Sequence, residues 1–116
     1  LFPRLRERLG LLAAKLSGGE QQMLSIGRAL MARPKLIMID ELSLGLMPKM
    51  VDLCYDALLR LKRDGMTILL VEQNTDRVLS VADHVCVLES GRTVWSGTAA
   101  DARNDPELAA AYLGLR

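Results

Sequence analysis

Two stretches of this sequence combine residue types that could handle a phosphate: Leu16-Ser17-Gly18-Gly19-Glu20-Gln21-Gln22 and Leu36-Ile37-Met38-Ile39-Asp40-Glu41. In the first, a serine and two glycines open a helix. Ser17 can cap that helix, and Glu20, three residues on, can bond back to the Ser17 amide. The amides of Gly18, Gly19 and Glu20 then point out of the helix start. Two of them carry no Cβ, so a phosphate could approach the backbone closely. The second stretch is a short apolar run ending in two adjacent carboxylates. A buried parallel strand reads this way, and its carboxyl end is where open α/β sheets place their ligands. Taken singly, a Ser-x-x-Glu box is an ordinary helix start and an apolar run before Asp-Glu an ordinary strand end. Their order and spacing carry the signal.

The elements that must position these residues follow from the pattern of the chain. Leu1 to Lys15 reads as a basic amphipathic helical piece with Phe2, Leu5, Leu9 and Leu12 as its apolar positions. A helix from Glu20 to about Ala32 should bury Met23, Ile26, Gly27, Leu30 and Met31, and Arg33-Pro34 ends it. After the strand at Leu36 to Ile39 and a loop over Leu42 to Leu46, Pro48 opens a helix to about Arg63. Val51, Cys54, Leu58 and Leu61 share one face of it, and Asp56 and Arg60 pair on the other. Met66 to Val71 is apolar throughout, which predicts a strand covered on both sides and parallel to the first. Asn74 should cap a short helix carrying Val78, Leu79 and Ala82. His84 to Glu89 and Arg92 to Ser96 flank Ser90-Gly91 as a hairpin. Thr98 and Asp101 suit one more helical turn, and Asp105-Pro106-Glu107 starts a last helix that stops at Gly114. The expected class is α/β: parallel strands with flanking helices, then a C-terminal β-hairpin and terminal helices.

Composition limits the function classes. At 116 residues, half of them apolar and a quarter charged, the chain reads as globular with room for one small domain. A formal net charge of +1, with basic and acidic residues interspersed, gives no electrostatic case for nucleic acid. No apolar run reaches the roughly eighteen residues of a membrane span. Cys54 and Cys86 lack metal-ligand spacing and read as core thiols in a reduced setting, and His84 reads as structural.

Leu16 to Gln22 resembles the signature motif of ATP-binding-cassette (ABC) ATPases, and Leu36 to Glu41 resembles their Walker B strand. Ser43-Leu44-Gly45-Leu46 and Val71-Glu72-Gln73-Asn74, with the opening Leu1 to Leu5, look like the ATPase subunits of branched-chain amino-acid (Liv-type) importers. The resemblance implies the C-terminal part of a P-loop NTPase domain, residues 1–15 ending a helical subdomain and 16–116 continuing the catalytic core. It implies ATP and Mg²⁺ as cofactors. Asp40 would hold the Mg²⁺, through its water shell, and Glu41 would orient and polarise the attacking water. Gln73, where most of the family carries histidine, would contact the γ-phosphate or that water. Ser17, Gly18, Gly19, Glu20 and Gln21 would meet the nucleotide held mainly by an opposing subunit, and Ser43, Leu44, Gly45 and Leu46 would line the dimer contact. The partners implied are a second ATPase subunit in a homo- or heterodimer, membrane permease subunits and, indirectly, a substrate-binding protein. The implied location is the cytoplasmic face of the membrane.

Two departures stand beside the resemblance. No glycine here is followed by lysine, so no segment reads as the G-x-x-x-x-G-K-[ST] phosphate loop, and the 116 residues alone are expected not to hydrolyse ATP. Leu42 stands where the family has proline after Asp-Glu, and leucine is expected to let Glu41 and Ser43 shift. Glu72 reads as a solvated strand end. Two function classes remain open: the hydrolysing subunit of an importer, or a non-catalytic module that docks its signature face onto a partner bearing the phosphate loop. The head segment of a DNA-repair ABC ATPase shares the two motifs, but no sustained heptad seam precedes residue 16.

Overall fold

The computed structural model describes residues 1–112. They fall into two units, Leu1–Glu72 and the segment from Gln73 onward. In the first unit the opening helix is short: α1 is Pro3–Arg6, followed by turns and a 3-10 turn at Ala13–Lys15. The expected amphipathic piece over residues 1–15 therefore breaks after about one turn. Leu9 and Leu12 are exposed, so among the described residues that part of the apolar stripe is not buried. Most helical stability in proteins comes from such burial.

Helix α2, Gly18–Leu30, buries Met23 and Ile26. Met31 caps its end and is exposed, outside the expected stripe, because the helix stops two residues before Ala32. Arg33, before Pro34, leaves the right-handed region altogether at φ +50°. Strand β1, Leu36–Asp40, leads through a turn into helix α3, Pro48–Arg63, which buries Val51, Cys54, Tyr55, Ala57 and Leu58. Strand β2, Thr67–Val71, pairs with β1 in parallel, Leu36 opposite Thr67 and Asp40 opposite Val71. Alternation sets the faces of this pair. Ile37 is buried, whereas Met38 is 72% exposed and Leu69 54%, so among the described residues one apolar face of the sheet is open.

In the second unit Asn74 caps α4, Thr75–Val81, by accepting from the Arg77 amide at 3.2 Å. Strands β3, His84–Glu89, and β4, Arg92–Thr98, form an antiparallel hairpin. Its loop residues Ser90 and Gly91 have φ of +48° and +78°, the signs a type I′ turn requires. Between Val87 opposite Trp95 and Leu88 opposite Thr93 the register shifts, and Val94 is the extra residue of a bulge. Helix α5, Ala99–Asn104, is capped by Thr98, and α6, Pro106–Ala111, by Asp105. Leu79, Ala99, Ala102 and Leu108 form the unit's core, with Val85, Val87 and Trp95 against it. Asp105 is shared: one oxygen caps α6 at the Leu108 amide, and the other accepts from the Trp95 indole at 3.1 Å. The Arg103 guanidinium donates to the Leu79 carbonyl. The expected stop at Gly114 lies outside the described residues.

Candidate functional site

The start of α2 is built as the Ser-x-x-Glu spacing dictates. Ser17 Oγ accepts from the Glu20 amide at 3.2 Å, and Glu20 Oε2 accepts from the Ser17 amide at 3.0 Å. Ser17 Oγ accepts in this box, so its own proton remains available to a ligand. The amides of Gly18 and Gly19 donate to no protein acceptor among the described residues. They are the orphan donors that every helix start leaves. The Glu20 amide is committed to the cap.

The two glycines have different tasks. A Cβ on Gly18 would meet only Leu46 Cδ2 at 3.6 Å, an ordinary contact. On Gly19 it would lie 2.4 Å from Met50 Cε and 2.9 Å from Met50 Cβ and Cγ. Gly19 is buried, and its missing Cβ lets α2 pack closely on α3; the open approach expected of both glycines exists at Gly18.

Glu20 and Gln21 turn inward in function. The Glu20 carboxylate is buried; its Oε1 accepts from Arg4 Nε at 3.1 Å, and Arg8 Nε lies 3.4 Å away as an ion pair without a hydrogen bond. Arg4 also reaches Glu7 at 2.7 Å, which, with Glu20, raises its pKa. The Ser17 amide, then Arg4 and Arg8, hold the Glu20 carboxyl below the usual range against the opposing effect of burial. Gln21 Nε2 donates back to the Leu16 carbonyl at 3.1 Å.

At the other motif, β1 delivers Asp40 exposed at its carboxyl end, and the chain then turns sharply. Glu41, half-buried, sits at φ +51°, a left-handed conformation that costs a non-glycine residue about 1–3 kcal/mol. The surroundings hold it there. The Glu41 amide donates to the Val71 carbonyl at 2.8 Å, and the Leu44 amide to the Glu41 carbonyl at 3.3 Å. Leu42 is 1% exposed, among the most buried side chains of the protein. Its carbonyl accepts from Gln22 Nε2 at 3.4 Å, which ties α2 to the turn. Burial of Leu42 holds the turn where proline would have fixed φ.

The reading of Glu72 is corrected. Its Oε1 accepts from the Ser43 amide at 2.8 Å and its Oε2 from the Ser43 hydroxyl at 2.9 Å. This carboxylate clamps the turn, and strand-end solvation is not its role. Sequence reasoning missed Glu72 and Gln22 because their partners lie 29 and 20 residues away; a carboxylate closing a strand beside a second strand ending in Asp-Glu was the available signal. Ser43 and Leu46 share this turn, with Leu44 and Gly45 exposed at its tip and Gly45 at φ +72°. Gln73 is exposed and opens the second unit.

The residues present fit the implied cofactors. Two uncommitted amides and a hydroxyl proton at one helix start suit a phosphate. No group of three or more His, Cys, Asp or Glu side chains gathers among the described residues. A lone exposed Asp40 is consistent with Mg²⁺, which keeps several waters and takes one or two carboxylates plus phosphate oxygens. A shallow surface depression at the opposite ends of the strands, lined by Pro34, Lys35, Asp64 and Thr67, touches none of these residues. No helix among the described residues is long and apolar enough to cross a membrane.

Comparison with known proteins agrees with this reading. Residues 3–43 match the family model described as ABC transporter. The chain is 50% identical over 114 residues to the high-affinity branched-chain amino acid transport ATP-binding protein BraG of Pseudomonas aeruginosa, covering 98% of this chain and 49% of that one. It is 34% identical over 115 residues to LivG of Escherichia coli, a protein of the same description, covering 93% of this chain and 45% of that one. The chain thus spans about half the length of the curated relatives it matches. Among solved structures it superposes on MJ1267, an ATP-binding cassette of an ABC transporter in its ADP conformation, with a TM-score of 0.72 and 35% identity. That match covers 86% of this chain and 41% of the other. A nucleotide-free cassette gives the same TM-score of 0.72 at 33% identity, covering 82% and 39%. In sequence and in fold, the chain resembles the ATP-binding subunits of ABC transporters, and residues 3–43 match that family's model.

Proposed function

We propose that this chain supplies the signature helix, the Walker B carboxylates and the switch glutamine of the ATP-binding subunit of an ABC importer for branched-chain amino acids. The observation that carries the reading is the tie between the two motifs. The helix start with its free Gly18 and Gly19 amides and the turn carrying Asp40 and Glu41 are joined through Gln22 and Leu42. Residues 1–15 end a helical subdomain, and 16–116 continue the catalytic core. The open apolar face of Met38, Leu69 and Val71 supports a further layer over that sheet.

ATP with Mg²⁺, when bound, supplies the phosphoryl group and the charge that offsets its oxygens. Ser17, Gly18 and Gly19 would donate to the terminal phosphate held by an opposing subunit. Glu20 and Gln21 serve the same site by keeping the helix start in shape. Asp40 would hold the metal through its waters, Glu41 would orient and polarise the attacking water, and Gln73 would donate to or accept from the phosphate or that water. Ser43 to Leu46 lie along the contact with the second subunit. The complex sits on permease subunits at the cytoplasmic face of the membrane, fed by a substrate-binding protein.

The test compares variants of the complete subunit by ATP-dependent dimerisation and phosphate release. Glu41→Gln should close and remain closed with hydrolysis stopped. Gly18→Asp should fail to close, because its carboxylate would sit where the phosphate docks. Gly18 is the clean position, since any side chain at Gly19 also strikes Met50. Residues 1–116 alone should release no phosphate above background. A Gly18→Asp variant that dimerises and turns over like its parent overturns the signature assignment.

A further inference from the structure

We propose that Glu72 is a positioning residue for hydrolysis: by clamping Ser43 it holds the turn that aims Glu41. This inference rests on the ATPase reading above. Glu72 follows the last residue of β2 and spends both carboxylate oxygens on one residue, the Ser43 amide at 2.8 Å and the Ser43 hydroxyl at 2.9 Å. Val71, its neighbour, takes the Glu41 amide at 2.8 Å. The end of β2 therefore grips the turn on both sides of Leu42, through the backbone before it and the side chain after it. Between those two grips the backbone of Glu41 is held at φ +51°. A residue persists in that region only where its surroundings over-determine it. Releasing Ser43 removes one of the two grips of β2 on the turn and lets the Glu41 carboxylate shift from the end of β1. Ser43 also begins the segment assigned to the dimer contact, so the same clamp fixes the turn's tip.

The clamp is geometric, and charge is secondary. Glutamine at position 72 keeps both bonds: its carbonyl accepts the Ser43 N–H, and its amide donates to the Ser43 oxygen. Alanine keeps neither.

In the complete subunit, kcat, KM and ATP affinity should be measured for Glu72→Ala, Glu72→Gln and Ser43→Ala, with hydrogen exchange of the Ser43 amide on the same proteins. Glu72→Ala should lower kcat about ten- to a hundredfold, the scale of a small misplacement of a catalytic group, with KM and ATP affinity held. Its Ser43 amide should exchange faster. Glu72→Gln should recover most of the turnover and the protection, and Ser43→Ala, which loses only the hydroxyl bond, should fall between. Parental kcat in Glu72→Ala overturns the proposal and leaves the ATPase reading standing, as does a Glu72→Gln no better than Glu72→Ala. A parent subunit without any phosphate release overturns the reading, and this inference with it.

Discussion

The start of α2 and the turn after β1 are both ends of elements aimed at the same chemistry, and they are held by opposite means. The helix start is local: Ser17 and Glu20 satisfy each other across three residues, and only the outer oxygen of Glu20 reaches further, to Arg4 and Arg8. The turn is non-local: Val71, Glu72 and Gln22, all distant in sequence, fix residues 41–43 while Leu42 is buried beneath them. A locally capped end can form as soon as its helix does. A turn in a strained conformation forms only after the core and the paired strand are in place. The comparison teaches that the acid-bearing end depends on the integrity of the whole first unit, and the glycine-bearing end far less.

Substitutions can break this contrast, and the largest effect should come from the turn. Leu42→Ala should lower unfolding free energy by about 2–5 kcal/mol in urea titration, as for other fully buried leucines. A loss below about 1 kcal/mol would mean the turn is held by its hydrogen bonds alone. At the helix start, Gly19→Ala should cost about 1–3 kcal/mol because its Cβ meets Met50. Gly18→Ala, one residue away, should be neutral or slightly stabilising, since alanine has the better helix propensity. Equal effects at the two glycines would contradict the packing described. Ser17→Ala should cost about 1 kcal/mol, and Ser17→Gly only a few tenths.

The smallest effect concerns pH. The folded pKa of Glu20 is lowered, first by the Ser17 amide and then by Arg4 and Arg8. Its contribution to stability is therefore complete above the unfolded value, about 4.3, and is lost as pH falls from there through the folded value. Glu20→Gln should flatten the acid limb of a stability-versus-pH curve in that window and leave its slope near neutrality alone. An unchanged acid limb would show that the ion pairs with Arg4 and Arg8 stay open to solvent.

The same division decides what was legible in the sequence. The capping box, the helix opened by Pro48, the parallel pair and the hairpin at Ser90-Gly91 all rest on short-range rules of spacing, and each stands in the structure where the pattern puts it. Residues 1–15 misled because periodicity shows an apolar stripe without showing whether a surface exists to receive it. Met66 to Val71 is apolar on both faces, and among the described residues one of those faces is open. The site was readable as motifs, not as a device. Nothing near Leu42 says that its side chain is buried, nothing near Gly19 says that Met50 lies against it, and the partnership of Ser43 and Glu72 exists only once β1 and β2 align.

The bulge in the hairpin has a consequence for how this chain tolerates changes in length. Removing one residue from a strand normally turns every side chain beyond the gap to the wrong face of the sheet. Val94 is the exception, because it is the residue the ladder does not use: Thr93 already faces Leu88, and Trp95 already faces Val87. Without it the strand would alternate regularly, and Trp95 would keep its place in the core and its bond to Asp105. Loss of this one residue would leave the rest of the ladder in register, which makes position 94 a point where β4 tolerates a single deletion.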